Sequence, residues 1–253
     1  MKTFLKNGAR VEVLRDLAQA SERAAGVFRA VALRSVEERG VFRVALPGGS
    51  TPKALLSLLA DGDHKASLAR VWPLASVFWT DERCVPPDDP QSNFRMAHTA
   101  LLMHVPVPAS RIHRMRGEDE QPQRAASAYA SVIEGEFGTS DPVFDLILLG
   151  MGDDAHTASI FPRSPLLKDG AGDSLVAAPY VSKLRAHRLT LTLRVLNRAA
   201  NVVFLVSGKD KAATLARVFA SPEEDEELPA RFVRPANGRL SWLVDEEAAR
   251  LLT

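Results

Sequence analysis

Phe144-Asp145-Leu146-Ile147-Leu148-Leu149-Gly150-Met151-Gly152-Asp153-Asp154-Ala155-His156-Thr157-Ala158-Ser159-Ile160-Phe161-Pro162 is the stretch on which the fold reading turns. An almost wholly apolar run ends abruptly in a glycine-punctuated acidic turn, and the turn delivers one histidine. A run of that kind reads as a parallel strand buried on both faces. In open α/β sheets, ligands bind beyond the carboxyl ends of such strands. A histidine titrates near neutrality, so one placed there suits a general acid or base.

The neighbouring segments repeat this grammar. Leu14, Leu17, Ala18, Ala24, Phe28, Val31 and Ala32 recur at helical spacing, and Gly40 stands where a C′ glycine ends a helix. Arg43 to Leu46 reads as a strand and Pro47-Gly48-Gly49-Ser50-Thr51-Pro52 as a turn, with Thr51 as N-cap and Pro52 at the first helical position. Ala75 to Trp79 reads as a strand running into Thr80-Asp81-Glu82-Arg83. Helices are expected from Ser92 or Asn93 and over Pro122 to Phe137. Arg188 to Leu193 and Asn201 to Val206 read as strands and Lys209 to Ala220 as a helix. Leu240 to Val244, followed by a short helix from Asp245, closes the chain. Strands separated by helices predict βαβ units and a mostly parallel sheet covered on both faces. No linker divides residues 1–253, which points to one domain. The acidic run Glu223 to Glu227 between Pro222 and Pro229 reads as a solvated loop.

Composition excludes several classes. Of 253 residues, 46% are hydrophobic, enough for a full core. Lys and Arg number 32 against 31 Asp and Glu, and they are scattered, so neither nucleic acid nor a membrane surface is indicated. Cys84 is the sole cysteine, which fits a reducing, cytoplasmic setting. The N-terminus lacks a signal-peptide pattern, and no apolar run approaches the roughly 18 residues of a spanning helix.

Three segments fall at strand ends. Gly48-Gly49-Ser50-Thr51 offers backbone amides and hydroxyls to an anion but lacks the lysine of a P-loop. Asp81-Glu82-Arg83 pairs an acid with a guanidinium able to grip phosphate or carboxylate. Gly152 and His156 belong to the third. Asp153 and Asp154 lack further metal ligands, and two adjacent acids more often favour a helix N-terminus. No HExxH pattern occurs. A nucleophilic Cys84 would want a histidine partner that the sequence does not display. Lys183 and Arg188 precede an alternating segment and could hold an anion if it lies beside the site.

In order along the chain, these motifs resemble the 6-phosphogluconolactonase family of the glucosamine-6-phosphate isomerase-like superfamily. Leu46-Pro47-Gly48-Gly49-Ser50-Thr51-Pro52 is similar to its glycine loop, and Trp79-Thr80-Asp81-Glu82-Arg83-Cys84-Val85-Pro86 with Ser92-Asn93 to its DER motif. Gly150 through Pro162 resembles GxGxDGHTASLFP, and Arg188 to Thr192 with Asn197 the RxTLT…N segment. Gly208-Lys209-Asp210-Lys211-Ala212 resembles a GxxKA turn. The resemblance implies a three-layer α/β/α sandwich with a Rossmann-like sheet (NagB/RpiA/CoA transferase-like). It implies hydrolysis of 6-phospho-D-glucono-1,5-lactone in the pentose phosphate pathway, without metal or cofactor. His156 would then be the general base, and Asp81 would orient it or a sugar hydroxyl. Gly48, Gly49, Ser50 and Gly152 would line the site. Arg83, Lys183 and Arg188 would bind the phosphate or the developing oxyanion, in an order the sequence does not assign; nor does it choose monomer or homodimer. A deaminase of the same fold is the nearest alternative, but its motifs continue differently after the acid and after the histidine. A phosphosugar-sensing module is the alternative from another class, and no helix-turn-helix pattern precedes residue 40. The family's usual glycine before the histidine is Ala155 here. A right-handed or extended backbone is therefore expected at Ala155.

Overall fold

The computed structural model describes residues 2–168, 173–221 and 225–252. Its strands are β1 (Lys2–Lys6), β2 (Ala9–Leu14), β3 (Phe42–Leu46), β4 (Ala75–Trp79), β5 (Asp81–Arg83), β6 (Leu146–Leu149), β7 (Val176–Ala177), β8 (Tyr180–Val181), β9 (Ala186–Leu191), β10 (Asn201–Val206) and β11 (Arg239–Asp245). The α-helices are α1 (Leu17–Arg39), α2 (Ser50–Leu59), α3 (Gly62–Ser67), α4 (Asn93–Ala100), α5 (Pro122–Phe137), α6 (Leu193–Leu196), α7 (Ala212–Ala220) and α8 (Glu246–Ala249).

Seven strands form the main sheet in the order β1-β2-β11-β10-β6-β3-β4. Every neighbouring pair is parallel except the β1–β2 hairpin. All four residues of the central β6 are buried, as a strand covered on both faces requires, and all five of the edge strand β4 are buried as well. From β3 the chain moves outward to β4; from β6 it moves the other way to β10 and β11. The strand order thus reverses between β3 and β6, and the crevice outside their carboxyl ends is where such sheets bind ligands.

Helix α1 begins where the Asp16 carboxylate accepts from the Gln19 amide at 2.8 Å and ends at Gly40, whose φ is 70°. Its buried Ala20, Ala24, Phe28 and Ala32 face the core. A second, small antiparallel sheet joins β5, β9 and β7, with β8 also on β9. Its register sets Asp81 opposite Thr190 and Arg83 opposite Arg188.

Several expectations need correction. Helix α2 starts at Ser50 with Gly49 as N-cap, not at Pro52 with Thr51 as cap. Gly49 adopts φ 101°, which only glycine does cheaply, so the chain enters the helix two residues early. Pro52 then falls within the first turn, where N–H groups have no intrahelical partner anyway. The strand expected over Arg188 to Leu193 spans Ala186–Leu191, and Leu193 opens α6. Lys209–Lys211 form a 3₁₀ turn ahead of α7. The β1–β2 hairpin was not anticipated. Of the acidic run, Glu223 and Glu224 lie outside the described residues, as does Pro222; Glu226 is exposed and Glu227 pairs with Arg163. Among the described residues, no helix is long and apolar enough to cross a membrane.

Candidate active site

A cleft of about 260 Å³ opens at the strand-order reversal. It is lined from four strand ends: Pro47 to Pro52 after β3, Asp81 and Arg83 after β4, Gly150 to Gly152 and His156 to Ala158 after β6, and Ser207 and Lys211 after β10. Gly48, Gly49, Ser50, Asp81, Arg83, Gly152 and His156 therefore do converge on one space.

The glycine loop is shaped by close approach. A Cβ on Gly48 would stand 1.9 Å from Asn93 Oδ1. Asn93 in turn donates from Nδ2 to the Asp81 carbonyl at 2.9 Å and faces the Asp81 carboxylate at 3.3 Å. Asn93 thus ties the first loop to the second. Behind it, the buried Glu82 carboxylate accepts from the amides of Arg83 (2.8 Å), Asn93 (2.7 Å) and Phe94 (2.8 Å) and from Ser92 Oγ (3.0 Å). Burial pushes the Glu82 carboxyl up, against the pull of these amide bonds. Glu82 is a cap for α4 and does not line the cleft.

His156 is held by Asp154. Nδ1 lies 2.5 Å from Asp154 Oδ1. The ionised carboxylate accepts from Nδ1–H, which keeps that proton on Nδ1 and leaves Nε2 as the proton acceptor of the neutral ring. Lys183 Nζ contacts the other Asp154 oxygen at 2.9 Å. Burial pushes the Asp154 carboxyl up, but the hydrogen bonds from His156 and Lys183 outweigh it and hold the group far below the usual carboxylate range. Asp154 is therefore ionised at any working pH.

Three further candidates sit apart from His156. Asp81 does not touch His156; its Oδ2 accepts from Ser159 Oγ at 2.8 Å, which pins the turn carrying the histidine. Lys183 is 61% exposed and sits behind Asp154, outside the cleft lining. Arg188 is also outside the lining, half-buried against Arg83 across the β5–β9 ladder. Burial, and then the neighbouring Arg83, hold its guanidinium below the ordinary range. Asp153 and Asp154 head no helix. Among the described residues no three His, Cys, Asp or Glu side chains come together as a metal site.

Ala155 also overturns its expectation. Its φ is 65°, the left-handed region, and the residue is fully buried. The turn is closed from both sides: Ala155 N–H donates to the Gly152 carbonyl at 3.2 Å, and Ala230 N–H donates to the Ala155 carbonyl at 3.0 Å. Left-handed backbone costs a non-glycine residue roughly 1–2 kcal/mol. Ala155→Gly is expected to stabilise the fold by about 0.5–1 kcal/mol, part of the relief being offset by greater freedom of the unfolded chain. A urea midpoint at or below that of the unsubstituted protein would contradict this.

Sequence reasoning missed Lys211 as a lining cation. The buried Asp245 accepts from Ser207 Oγ (2.5 Å) and from Gly208 N–H (3.1 Å), fixing the turn from which Lys211 reaches the cleft. The rule that found the other loops, a glycine turn at a strand's carboxyl end, applies equally to Ser207-Gly208.

The family described as glucosamine-6-phosphate isomerases/6-phosphogluconolactonase matches residues 15–242. The chain belongs to that family. A 6-phosphogluconolactonase from Synechocystis is 41% identical over 222 residues, covering 87% of this chain and 88% of its own. One from Homo sapiens is 42% identical over 221 residues, covering 85% and 82%. The solved 6-phosphogluconolactonase from Trypanosoma cruzi superposes with a TM-score of 0.85 at 30% identity, over the whole of both chains.

Proposed function

We propose that this family member is a 6-phosphogluconolactonase, a carboxylic ester hydrolase that opens 6-phospho-D-glucono-1,5-lactone to 6-phosphogluconate in the pentose phosphate pathway, in the cytoplasm. The relatives' names support the reaction. The observation that carries the mechanism is the His156–Asp154 pair opening on a cleft walled by Arg83 and Lys211.

A δ-lactone is an activated ester, so a positioned water and a base suffice. His156 Nε2 takes a proton from water as the water oxygen adds to the lactone carbonyl carbon. The tetrahedral oxyanion collapses, the bond from that carbon to the ring oxygen breaks, and the imidazolium returns the proton to the departing ring oxygen. The product is an open chain with a free hydroxyl and a carboxyl group, which ionises. Asp154 fixes the tautomer and stabilises the imidazolium formed midway. The amides at the start of α2, with Arg83 and Lys211, receive the phosphate; Arg188 reinforces the positive field behind Arg83. Asp81 is left to accept from a sugar hydroxyl while holding Ser159.

The test is lactone loss above the spontaneous rate, with lactone generated from glucose 6-phosphate, beside ammonia release from glucosamine 6-phosphate. Ammonia release without lactone hydrolysis would overturn the proposal. A second measurement addresses the histidine's seat. A Cβ on Gly152 would fall 2.0 Å from His156 Nδ1 and 2.9 Å from Asp154 Oδ1. Gly152→Ala is expected to fold and to lose about 100-fold in kcat, the scale of an ångström misplacement. Wild-type kcat in that variant would show that the pair is not needed as arranged.

A further inference from the structure

Phe161 stacks on the His156 imidazole, with ring centroids 4.3 Å apart and planes inclined by 18°. Asp154 holds Nδ1, and the Gly152 backbone closes on the Nδ1–Cε1 edge. Nε2 has no protein hydrogen-bond partner among the described residues, and the ring lines the cleft. Phe161 is therefore the group that covers one face of the base. Its own position is anchored: Ser164 N–H donates to the Phe161 carbonyl at 3.0 Å, and Arg163 N–H to the Glu226 carbonyl at 2.8 Å.

We propose that Phe161 is a positioning residue for the reaction, holding the imidazole plane and favouring its protonated form through the aromatic face. The role rests on the hydrolytic reading above. Stacking restricts the ring's tilt, which the hydrogen bond to Asp154 constrains more loosely because its angular tolerance is broad. The quadrupole of the phenyl ring adds attraction for the imidazolium that forms when water is deprotonated. Asp154 bonds the imidazole, and Lys183 stands behind Asp154. Asp81 and Arg83 belong to β5, and Lys211 to the turn after β10; all three line the same cleft. None of them occupies the face that Phe161 covers.

The experiment compares Phe161→Leu, Phe161→Tyr and His156→Ala with the unsubstituted enzyme in lactone hydrolysis across pH. In Phe161→Leu, kcat is expected to fall about tenfold with KM changed by less than about twofold, the signature of a lost transition-state orientation. The acid limb of kcat/KM should move to lower pH by about 0.5 unit, since the imidazolium loses its aromatic partner. Phe161→Tyr keeps the ring and should restore both. A Phe161→Leu enzyme with wild-type kcat and acid limb overturns the proposal; so does a Phe161→Tyr enzyme as impaired as Phe161→Leu. If His156→Ala retains full activity, the hydrolytic reading itself fails. If His156→Ala is inactive while Phe161→Leu is normal, only the role of Phe161 fails.

Discussion

His156→Ala is expected to lower kcat for lactone hydrolysis by roughly 10²–10⁴-fold, the usual contribution of a positioned general base. The expectation rests on Nε2 being the free nitrogen, which in turn rests on Asp154 holding Nδ1 at 2.5 Å. Binding should survive, because the glycine loop, Arg83 and Lys211 are untouched, so KM should change far less than kcat. Asp154→Asn should be impaired in the same direction. An amide can donate its NH₂ group to Nδ1, which would switch the tautomer and place the proton on Nε2, where water must deliver its own. Because Asp154 is held ionised far below the usual carboxylate range, it contributes no limb to the activity profile near neutrality. The stability linkage has the opposite location. A carboxylate depressed by folding stabilises the folded state above its unfolded pKa of about 3.9, and that contribution drains away as pH falls through the folded value. Asp154→Asn should therefore lower stability at neutral pH by a constant amount and flatten the pH dependence of acid unfolding below about pH 4. A His156→Ala enzyme with near wild-type turnover would remove the general-base mechanism.

The legible part of the fold and the site lies at the strand ends. The glycine loop, the acid–arginine segment and the histidine are legible because each follows a buried strand, whose apolar run stops at proline and glycine after β3, at Thr80-Asp81 after β4 and at Gly150 after β6. Asp154 was not recognised as the partner of His156. Two residues apart, they meet only because Ala155 turns through the left-handed region, a conformation that alanine gives no reason to expect. The N-terminal hairpin was missed for a different reason. In β1 no residue is buried, so the alternation that betrays a strand is weak. In β2 the buried Glu12 breaks the apolar pattern; it is tolerated because Arg23 and Arg10 bond it at 2.6 and 2.8 Å. The resemblance groups Lys183 and Arg188 with Arg83 as phosphate-binding cations; the fold sets Lys183 on a turn against Asp154 and Arg188 on β9 opposite Arg83, and neither lines the cleft.

The larger effect on stability is expected at Glu82, the acid of the same segment that takes no part in the chemistry. Glu82→Ala would leave the buried Asn93 N–H, the part-buried Arg83 and Phe94 N–H groups and the buried Ser92 hydroxyl without their acceptor. An unsatisfied buried donor costs about 1–3 kcal/mol, and water admitted into the space left by the side chain recovers part of the sum, so a loss of about 3–5 kcal/mol is expected. Against a total of roughly 5–15 kcal/mol, that is a large share of the fold's stability. The melting temperature should drop by about 6–20 °C, at ~2–4 °C per kcal/mol for a chain of this size. Activity should fall with it below the melting point, because Asn93 follows the cap. Once α4 frays at its start, Asn93 no longer bridges Gly48 and Asp81, and the first two loops of the cleft lose their common tie. Glu82→Gln retains one acceptor oxygen but turns an NH₂ group toward donors, so it should lie between the two. A Glu82→Ala protein that melts within a degree or two of the original, with its activity intact, would show that α4 is capped well enough by Ser92 alone, whose Oγ accepts from Arg95 N–H at 3.1 Å.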